Sequence, residues 1–270
     1  MKIRKAKPED KKAVLEFCKS TFSWGDYISD VWNNWISEGK LLVAFEKNNP
    51  IGICHAYFLP RKKQMWVEGI RIDSRHRRKG YAQRLVSQAE SFAQKNNFKK
   101  SQMLVEISNA KSLRLAKKLR YKIESLWKFY SLPPKRQTQK SPVRFANNAS
   151  QILRLIPSPT TTYVKSWRWI PLDRLEIENL IKKKKILISK HDGEVDGLGI
   201  LVESEHFPKI IQFTLIFGKK KGLVDILHFI QDFARTMKYE RIQLLTKENL
   251  SLKLDGLEKR YSFYLMEKNL

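Results

Sequence analysis

The alternation of apolar and polar positions predicts short strands and amphipathic helices along the first half of the chain. Compact apolar runs between polar residues, such as LLVAFE at 41–46 and QMWVEGIRI at 64–72, are typical of strands. YAQRLVSQAESFAQK at 81–95 spaces its apolar residues at helical intervals. The residues at 48–50, Asn-Asn-Pro, predict a turn and hence a hairpin. The predicted strands are 1–5, 41–46, 51–59, 64–72, 101–107 and 121–132. One helix is predicted to begin near Pro8, and two further helices are predicted at 81–95 and 110–119.

The segment after residue 160 repeats this pattern. KIIQFTLIFG at 209–218 matches QMWVEGIRID at 64–73, and the terminal RYSFYLMEK matches RYKIESLWKFY of the first half. Mixed strands and helices in this order are typical of an α+β fold, a mostly antiparallel sheet covered by helices. We therefore predict two tandem copies of one α+β fold. The expected divisions are a first domain at 1–132, a linker at 133–159 with room for one short helix, and a second domain at 160–270.

The net charge is the strongest feature of the composition. The 270 residues include 53 Lys and Arg against 27 Asp and Glu, a formal charge of +26, and the first 140 residues carry 31 of the basic residues and 12 of the acidic ones. Such an excess favours anionic partners, among them nucleic acid, the ribosome and phosphorylated cofactors. It equally suits plain solubility, so the charge alone identifies no function.

Several classes of protein are disfavoured by simple counts. No apolar run approaches the roughly 18 residues that span a bilayer, and the start, MKIRKAKPEDKK, lacks the apolar stretch of a signal peptide. The two cysteines cannot form a disulfide framework, and the five histidines show no ligand spacing with them. We expect a cytoplasmic protein with no membrane segment and no metal site.

The stretch WVEGIRIDSRHRRKGYA at 66–82 joins a strand, a basic loop with a glycine, and the start of an amphipathic helix. A helix start presents unpaired amides and the positive end of the helix dipole, which together receive phosphate oxygens. Gly80 allows a ligand close to the backbone. The basic side chains that complement phosphate are Arg75, Arg77, Arg78 and Lys79.

This loop resembles the Gln/Arg-x-x-Gly-x-Gly/Ala loop of the GCN5-related N-acetyltransferase (GNAT) superfamily, with Arg-Arg-Lys-Gly-Tyr-Ala at 77–82. The preceding apolar strand, the Arg-x-Leu helix and the segment from Asn109 to Tyr121 are similar as well. The resemblance covers residues 1–132 closely and the second half in outline. It implies an acetyl-CoA-dependent N-acetyltransferase, in which a primary amine of a small molecule or a protein attacks the thioester directly.

The resemblance also implies where acetyl-CoA binds. In the family it lies in a splay between two adjacent parallel strands, here 64–72 and 101–107. Main-chain groups at the end of the first strand would pair with the pantetheine arm, and loop amides would hold the pyrophosphate. Two polar residues after the second strand would lie beside the pantetheine and the sulfur. The implied cofactor-binding residues are Ile70, Arg71, Ile72, Arg77, Arg78, Lys79, Gly80, Tyr81, Ala82, Gln83, Asn109 and Ser112.

Two glutamates are candidates for the group that removes the amine proton. Alternation puts Glu68 on the same face of its strand as Trp66 and Ile70, and the resemblance implies a base that acts through water. The alternative is a strand carboxylate paired with an arginine. Glu106, at the end of the other cofactor strand, is the second candidate. The family's tyrosine acid has no counterpart here because its position is Ala116, so another group or solvent would protonate the thiolate.

Some aromatic residues have two interpretations. Trp24, Tyr27, Trp32 and Trp35 either line an acceptor pocket or pack in the core, and the helical spacing of Tyr27 and Trp35 favours packing. His55 and His76 are interpreted as ordinary strand and loop residues.

The second copy departs from the motif. At the loop position it carries Gly-Lys-Lys-Lys-Gly-Leu-Val at 218–224, where Gly222 matches Gly80, and it has no acid that matches Glu68. We therefore expect a degenerate, non-catalytic copy. The rival hypothesis for the whole chain is a basic module that keeps the fold without turnover and binds nucleic acid or a protein partner.

Overall fold

The computed structural model of the protein describes residues 1–19, 21, 26–137, 141–252 and 254–270. Single turns of 3-10 helix lie at Pro8–Asp10, Pro60–Lys62 and Ser74–His76. The helices are α1 (Lys11–Cys18), α2 (Ile28–Ser37), α3 (Tyr81–Lys95), α4 (Ala110–Lys118), α5 (Ala149–Leu155), α6 (Arg174–Lys182) and α7 (Lys220–Thr236). The strands are β1 (Lys2–Lys5), β2 (Leu41–Glu46), β3 (Asn49–Leu59), β4 (Gln64–Ile72), β5 (Lys100–Glu106), β6 (Lys122–Leu132), β7 (Arg144–Phe145), β8 (Thr162–Lys165), β9 (Arg168–Pro171), β10 (Ile186–His191), β11 (Glu194–Glu203), β12 (Ile210–Gly218), β13 (Arg241–Thr246) and β14 (Glu258–Asn269).

The chain forms two compact units. Unit 1 comprises Met1–Ser125 together with Tyr264–Leu270, and unit 2 comprises Leu126–Phe263. The two units have other bounds than the domains expected from the sequence, 1–132 and 160–270. Those domain boundaries stay a prediction. Both units are mixed α+β, as the periodicity predicted.

The strands of unit 1 follow the order β1-β2-β3-β4-β5, and the end of β14 lies beside β5. Neighbouring strands from β1 to β4 are antiparallel, whereas β4 and β5 are parallel because α3 connects them. Two apolar clusters cover the two faces of this sheet. Leu85, Val86 and Ala89 of α3 pack on one face. Trp32 and Trp35 of α2 belong to the cluster on the other, which includes Val43 and Ile53 of the strands.

The last residues of the chain are part of the core of unit 1. Met266 is fully buried in the cluster that contains α3, and the backbone N–H of Leu270 donates to the carbonyl of Lys99 at 3.0 Å. The Nζ atom of Lys268 lies 2.6 Å from the carboxylate of Glu90, which is only 5% exposed. Unit 1 is therefore assembled from both ends of the sequence.

Unit 2 repeats the architecture, with its strands in the order β6-β13-β12-β11-β10-β7. The predicted linker contributes to this unit. Its apolar stretch forms α5, and Arg144 and Phe145 pair with β10 at the sheet edge. Residues 138–140 lie outside the described part of the chain. The opening strand of the second copy is instead a separate hairpin of β8 and β9.

The described segments contain the helices α1 to α7. None of them combines the length and the apolar character of a membrane-spanning segment.

Candidate active site

The parallel strands of unit 1 separate along their length. β4 and β5 pair only where Gln64–Trp66 face Lys100–Gln102, although β4 continues to Ile72 and β5 to Glu106. The Nε2 atom of Gln64 donates to Oε1 of Gln102 at 2.5 Å near the point of separation. Unpaired strand backbone needs other hydrogen-bond partners. The opening between β4 and β5 can therefore receive an extended ligand that carries amide groups.

A β-bulge reshapes the middle of β4. Along β3, Ile53 pairs with Arg71 and His55 pairs with Glu68, so the register shifts by one residue between the two pairs. Gly69 takes up the bulge with φ at +62°. Ile70 consequently packs with the α3 cluster, whereas Glu68 contacts His55. The prediction that Glu68 and Ile70 share a face is wrong because strict alternation does not survive an extra residue.

Glu68 lies against a buried histidine. Its Oε1 atom is 2.8 Å from Nδ1 of His55, whose side chain is fully buried, and the Glu68 side chain is 13% exposed. The ring of Trp35 stacks on that of His55 at 4.5 Å with an interplanar angle of 3°. The interpretation of His55 as an ordinary strand residue missed this contact. A signal for it was present: a histidine in an otherwise apolar strand is costly to bury without a polar partner.

The aromatic residues of α2 are core residues. Trp32 and Trp35 are each 1% exposed, and the burial of Trp35 confirms the packing that its helical spacing from Tyr27 favoured. Trp24 lies outside the described residues.

Arg71 points its side chain toward the start of α2. Its Nε and Nη2 atoms lie 2.6 and 3.1 Å from the carboxylate of Asp26, and its guanidinium lies 5.2 Å from the ring centroid of Tyr27. Burial raises the pKa of Tyr27. Because the guanidinium is committed to this pair, Arg71 can serve a ligand in the strand opening only through its main chain.

The loop before α3 presents amides at a helix start. Gly80 is the residue that precedes α3, in the left-handed conformation with φ at +78°, and space is open where a side chain would lie. Within the described chain, no group accepts a hydrogen bond from the backbone N–H groups of residues 78–83. The Nε atom of Arg77 donates to the carbonyl of Ile72 at 3.1 Å. This geometry is suited to binding an anion, and the predicted residues 77–83 form the loop and the first turn of α3 that present these amides.

Side chains fasten the loop to the neighbouring strand. The hydroxyl of Tyr81 donates to Glu46 at 2.5 Å and holds the pKa of that carboxyl below its usual range. Nε2 of His76 lies 3.2 Å from the same carboxylate. The hydrogen bond from Arg75 likewise lowers the pKa of Asp73. Arg75 is thus engaged within the loop.

The remaining predicted residues gather around the start of α4. Oδ1 of Asn109 accepts from the backbone N–H of Ser112 at 3.0 Å, which caps the helix. Glu106, at the end of β5, accepts from the hydroxyl of Ser108 at 2.6 Å. Ala116, which stands at the position of the family's tyrosine, is fully buried in the core.

Unit 2 lacks both features of this site. β12 and β13 pair from Ile210 with Arg241 through to Leu215 with Thr246, so no opening forms between them. β12 ends at Gly218 and α7 begins at Lys220, so almost no loop remains. Gly222 therefore lies inside the helix, and its match with Gly80 does not extend to conformation.

Carboxylates surround the start of α7. A Cβ atom on Gly222 would lie 2.3 Å from Oδ1 of Asp196, so this carboxylate contacts the first turn of the helix. Nδ1 and Nε2 of His191 lie 2.6 and 3.0 Å from Asp196 and Asp225, respectively. Negative charge at this helix start opposes a phosphate ligand.

Residues 12–121 match the sequence model of the acetyltransferase (GNAT) family. No curated protein matches the chain.

Several solved structures share the fold over nearly the whole chain. An inferred acetyltransferase from Thermoplasma acidophilum has a TM-score of 0.68 at 13% identity, covering 100% of this chain and 100% of that one. A GCN5-related N-acetyltransferase from Sphaerobacter thermophilus has a TM-score of 0.68 at 12% identity, with coverage of 99% and 95%. A tandem GNAT protein from the clavulanic acid biosynthesis pathway has a TM-score of 0.59 at 7% identity, with coverage of 99% and 98%.

At these identities the solved structures establish the fold and leave the activity open. The segment of residues 12–121 belongs to the acetyltransferase (GNAT) family, and the chain as a whole has the GNAT fold in tandem.

Proposed function

We propose that the protein is an acetyl-CoA-dependent N-acetyltransferase whose active site lies in unit 1. The observation that carries the proposal is the opening between β4 and β5 beside a glycine-containing helix start with free amides. The amides of residues 77–83 would hold the diphosphate, and main-chain groups of Ile70–Ile72 would pair with the pantetheine arm. Asn109 and Ser112 would lie beside its thiol end. The resemblance supplies these roles, and the geometry is compatible with each of them.

Glu68 is the proposed proton acceptor. A primary amine enters largely as an ammonium ion, loses one proton to become nucleophilic, and attacks the thioester carbon. A partly exposed carboxylate at the bulge of β4 is suited to receive that proton directly or through water. Collapse of the tetrahedral intermediate breaks the carbon–sulfur bond, the nitrogen releases its second proton to solvent, and the thiolate takes a proton from solvent to become the free thiol. Glu106 is the weaker candidate because its carboxylate is engaged by Ser108.

Unit 2 would not bind acetyl-CoA in the same way. The continuous pairing of β12 with β13 removes the opening, and the carboxylates of Asp196 and Asp225 oppose a diphosphate at α7. We therefore propose one acetyl-CoA site per chain and a structural role for unit 2.

Isothermal titration with acetyl-CoA tests the cofactor site. We expect one molecule bound per chain and at least a tenfold weaker affinity for Gly80→Val, because a β-branched residue is strained at a φ of +78° and its side chain would enter the ligand's space.

Gly193→Val is the matched control. Gly193 has a φ of +83° with nothing within 4 Å of an added Cβ atom, but it lies in a turn of unit 2. Unchanged affinity in Gly80→Val would contradict the loop assignment. Absence of acetyl-CoA binding, together with salt-sensitive retention on nucleic acid, would favour the rival basic binding module.

Thiol release from acetyl-CoA against a panel of primary amines tests the chemistry. We expect Glu68→Gln to lower kcat by about 10²-fold while leaving acetyl-CoA affinity unchanged, because the amide cannot accept the proton. Glu124→Gln, an exposed glutamate of unit 1, is the matched control. A full rate in Glu68→Gln with a large loss in Glu106→Gln would transfer the role to Glu106.

A further inference from the structure

The histidine behind Glu68 is held by a second carboxylate. Nε2 of His55 lies 3.0 Å from Oε2 of Glu38, at ion-pair distance, while Nδ1 lies 2.8 Å from Oε1 of Glu68. Glu38 follows the last residue of α2, and its side chain is 22% exposed. The imidazole thus lies between two carboxylates that come from different elements, with no exposed surface of its own.

The donors and acceptors that these groups carry determine which of them donates the hydrogen bond between His55 and Glu68. A carboxylate that is to receive a proton is ionised and can only accept hydrogen bonds. The 2.8 Å contact therefore requires the hydrogen on Nδ1 of His55, with Glu68 as acceptor. One carboxylate oxygen of Glu68 is thereby fixed, and the orientation of the group follows.

The ring of His55 is itself held in place. Trp35 stacks on its face at 4.5 Å, and Glu38 lies at its far nitrogen. Trp35 can approach this closely because the bulge residue is glycine: a Cβ atom on Gly69 would lie 2.3 Å from Cη2 of Trp35. The stacked tryptophan and the contact with Glu68 hold the imidazole in place, with Glu38 at ion-pair distance from Nε2.

We propose that His55 is a positioning residue for proton transfer: it orients the carboxylate of Glu68 through Nδ1–H, while Glu38 lies 3.0 Å from Nε2 on the other side of the ring. This inference rests on the proposed role of Glu68. Because the imidazole of His55 is fully buried, it can act on a substrate only through Glu68, so its loss is expected to lower kcat and to leave the affinity for acetyl-CoA intact.

The kinetic test compares two substitutions of the same residue. His55→Leu removes the donor and is expected to lower kcat for thiol release by about 10²-fold with unchanged acetyl-CoA affinity. His55→Asn places an amide N–H near the position of Nδ1 and is expected to recover at least tenfold of that loss. His228→Leu makes the same change on α7 of unit 2 and should keep the full rate. Equal rates in the Leu and Asn variants, both folded, would overturn the proposal.

A spectroscopic test needs no acceptor substrate, because it detects the hydrogen on Nδ1 directly. In wild-type protein labelled with ¹⁵N-histidine, Nδ1 of His55 is expected to carry a slowly exchanging hydrogen, assigned by its loss in His55→Asn. The same signal should shift in Glu68→Gln. A ¹⁵N shift typical of an unprotonated Nδ1 would overturn the proposal even if the enzyme is active.

The rates of the two variants distinguish the role of Glu68 as the base from the role of His55 as a positioning residue. If Glu68→Gln loses activity but His55→Leu does not, the base assignment survives and the positioning role fails. If Glu68→Gln keeps full activity, the proposed base fails, and the positioning role fails with it.

Discussion

A chain that ends at Phe263 is expected to lose the fold of unit 1 and, with it, the binding of acetyl-CoA. The deletion removes Tyr264–Leu270, which belong to unit 1 although they are encoded last. Met266 is fully buried there, and β5 would lose its neighbour on the side of β14. Removing one buried methionine alone typically costs about 2–5 kcal/mol, a large part of the usual stability of a domain.

The loss of Lys268 would add to this cost. Glu90 is buried and accepts from Lys268 at 2.6 Å and from the hydroxyl of Tyr121 at 2.8 Å. Breaking a buried ion pair by removing one partner typically costs about 3–5 kcal/mol, since the remaining charge then has no opposite charge and here keeps only the hydrogen bond from Tyr121. Lys268→Met should therefore destabilise the protein by about that amount, whereas Lys259→Met, at an exposed position of β14, should leave the free energy of unfolding nearly unchanged.

Thermal unfolding, limited proteolysis and acetyl-CoA titration measure the effect of the deletion. We expect unit 1 to become protease-sensitive in the chain that ends at Phe263 and also in a chain that ends at Pro159. Unchanged unfolding and unchanged affinity in either truncated chain would show that unit 1 does not need its last strand.

The sequence predicted the elements of unit 1 well, because its strands and helices carry clear periodicities. Gln64–Ile72 and Tyr81–Lys95 have the predicted bounds. It could not predict where the terminal strand packs. RYKIESLWKFY and RYSFYLMEK have similar patterns, so either segment suits the edge of either sheet. Only the complementary partners in three dimensions, such as Glu90 for Lys268, distinguish them.

The sequence predicted the residues of the loop before α3, but it did not predict the contacts between side chains of neighbouring strands. Gly80 and the basic residues before it are local signals, since a helix start and its loop are contiguous in the sequence. The contact of His55 with Glu68 depends on strand register, which one bulge shifts. The glycine at position 69, inside an apolar strand, was the available signal for that bulge.

Gly69→Ala is expected to destabilise unit 1 by roughly 2–5 kcal/mol and to lower kcat. An alanine at a φ of +62° is strained by about 1–2 kcal/mol. Its Cβ atom would also lie 2.3 Å from the ring of Trp35, and overpacking of this kind costs about 1–3 kcal/mol. Relief of the clash requires Trp35 to move away from His55, which would loosen the orientation of Glu68.

Gly39→Ala separates strain from the clash. Gly39 is also in unit 1 with a φ of +75°, but nothing lies within 4 Å of an added Cβ atom. The Gly39→Ala variant should lose only the roughly 1–2 kcal/mol of backbone strain from its free energy of unfolding, and its kcat should be unchanged. Combining Gly69→Ala with Trp35→Leu should cost less than the sum of the two single changes, because the smaller side chain removes the clash. If the losses in free energy of unfolding of the two single variants add exactly in the double variant, Trp35 does not clash with an alanine at position 69. The proposed effect of Gly69 on the orientation of Glu68 would then be wrong.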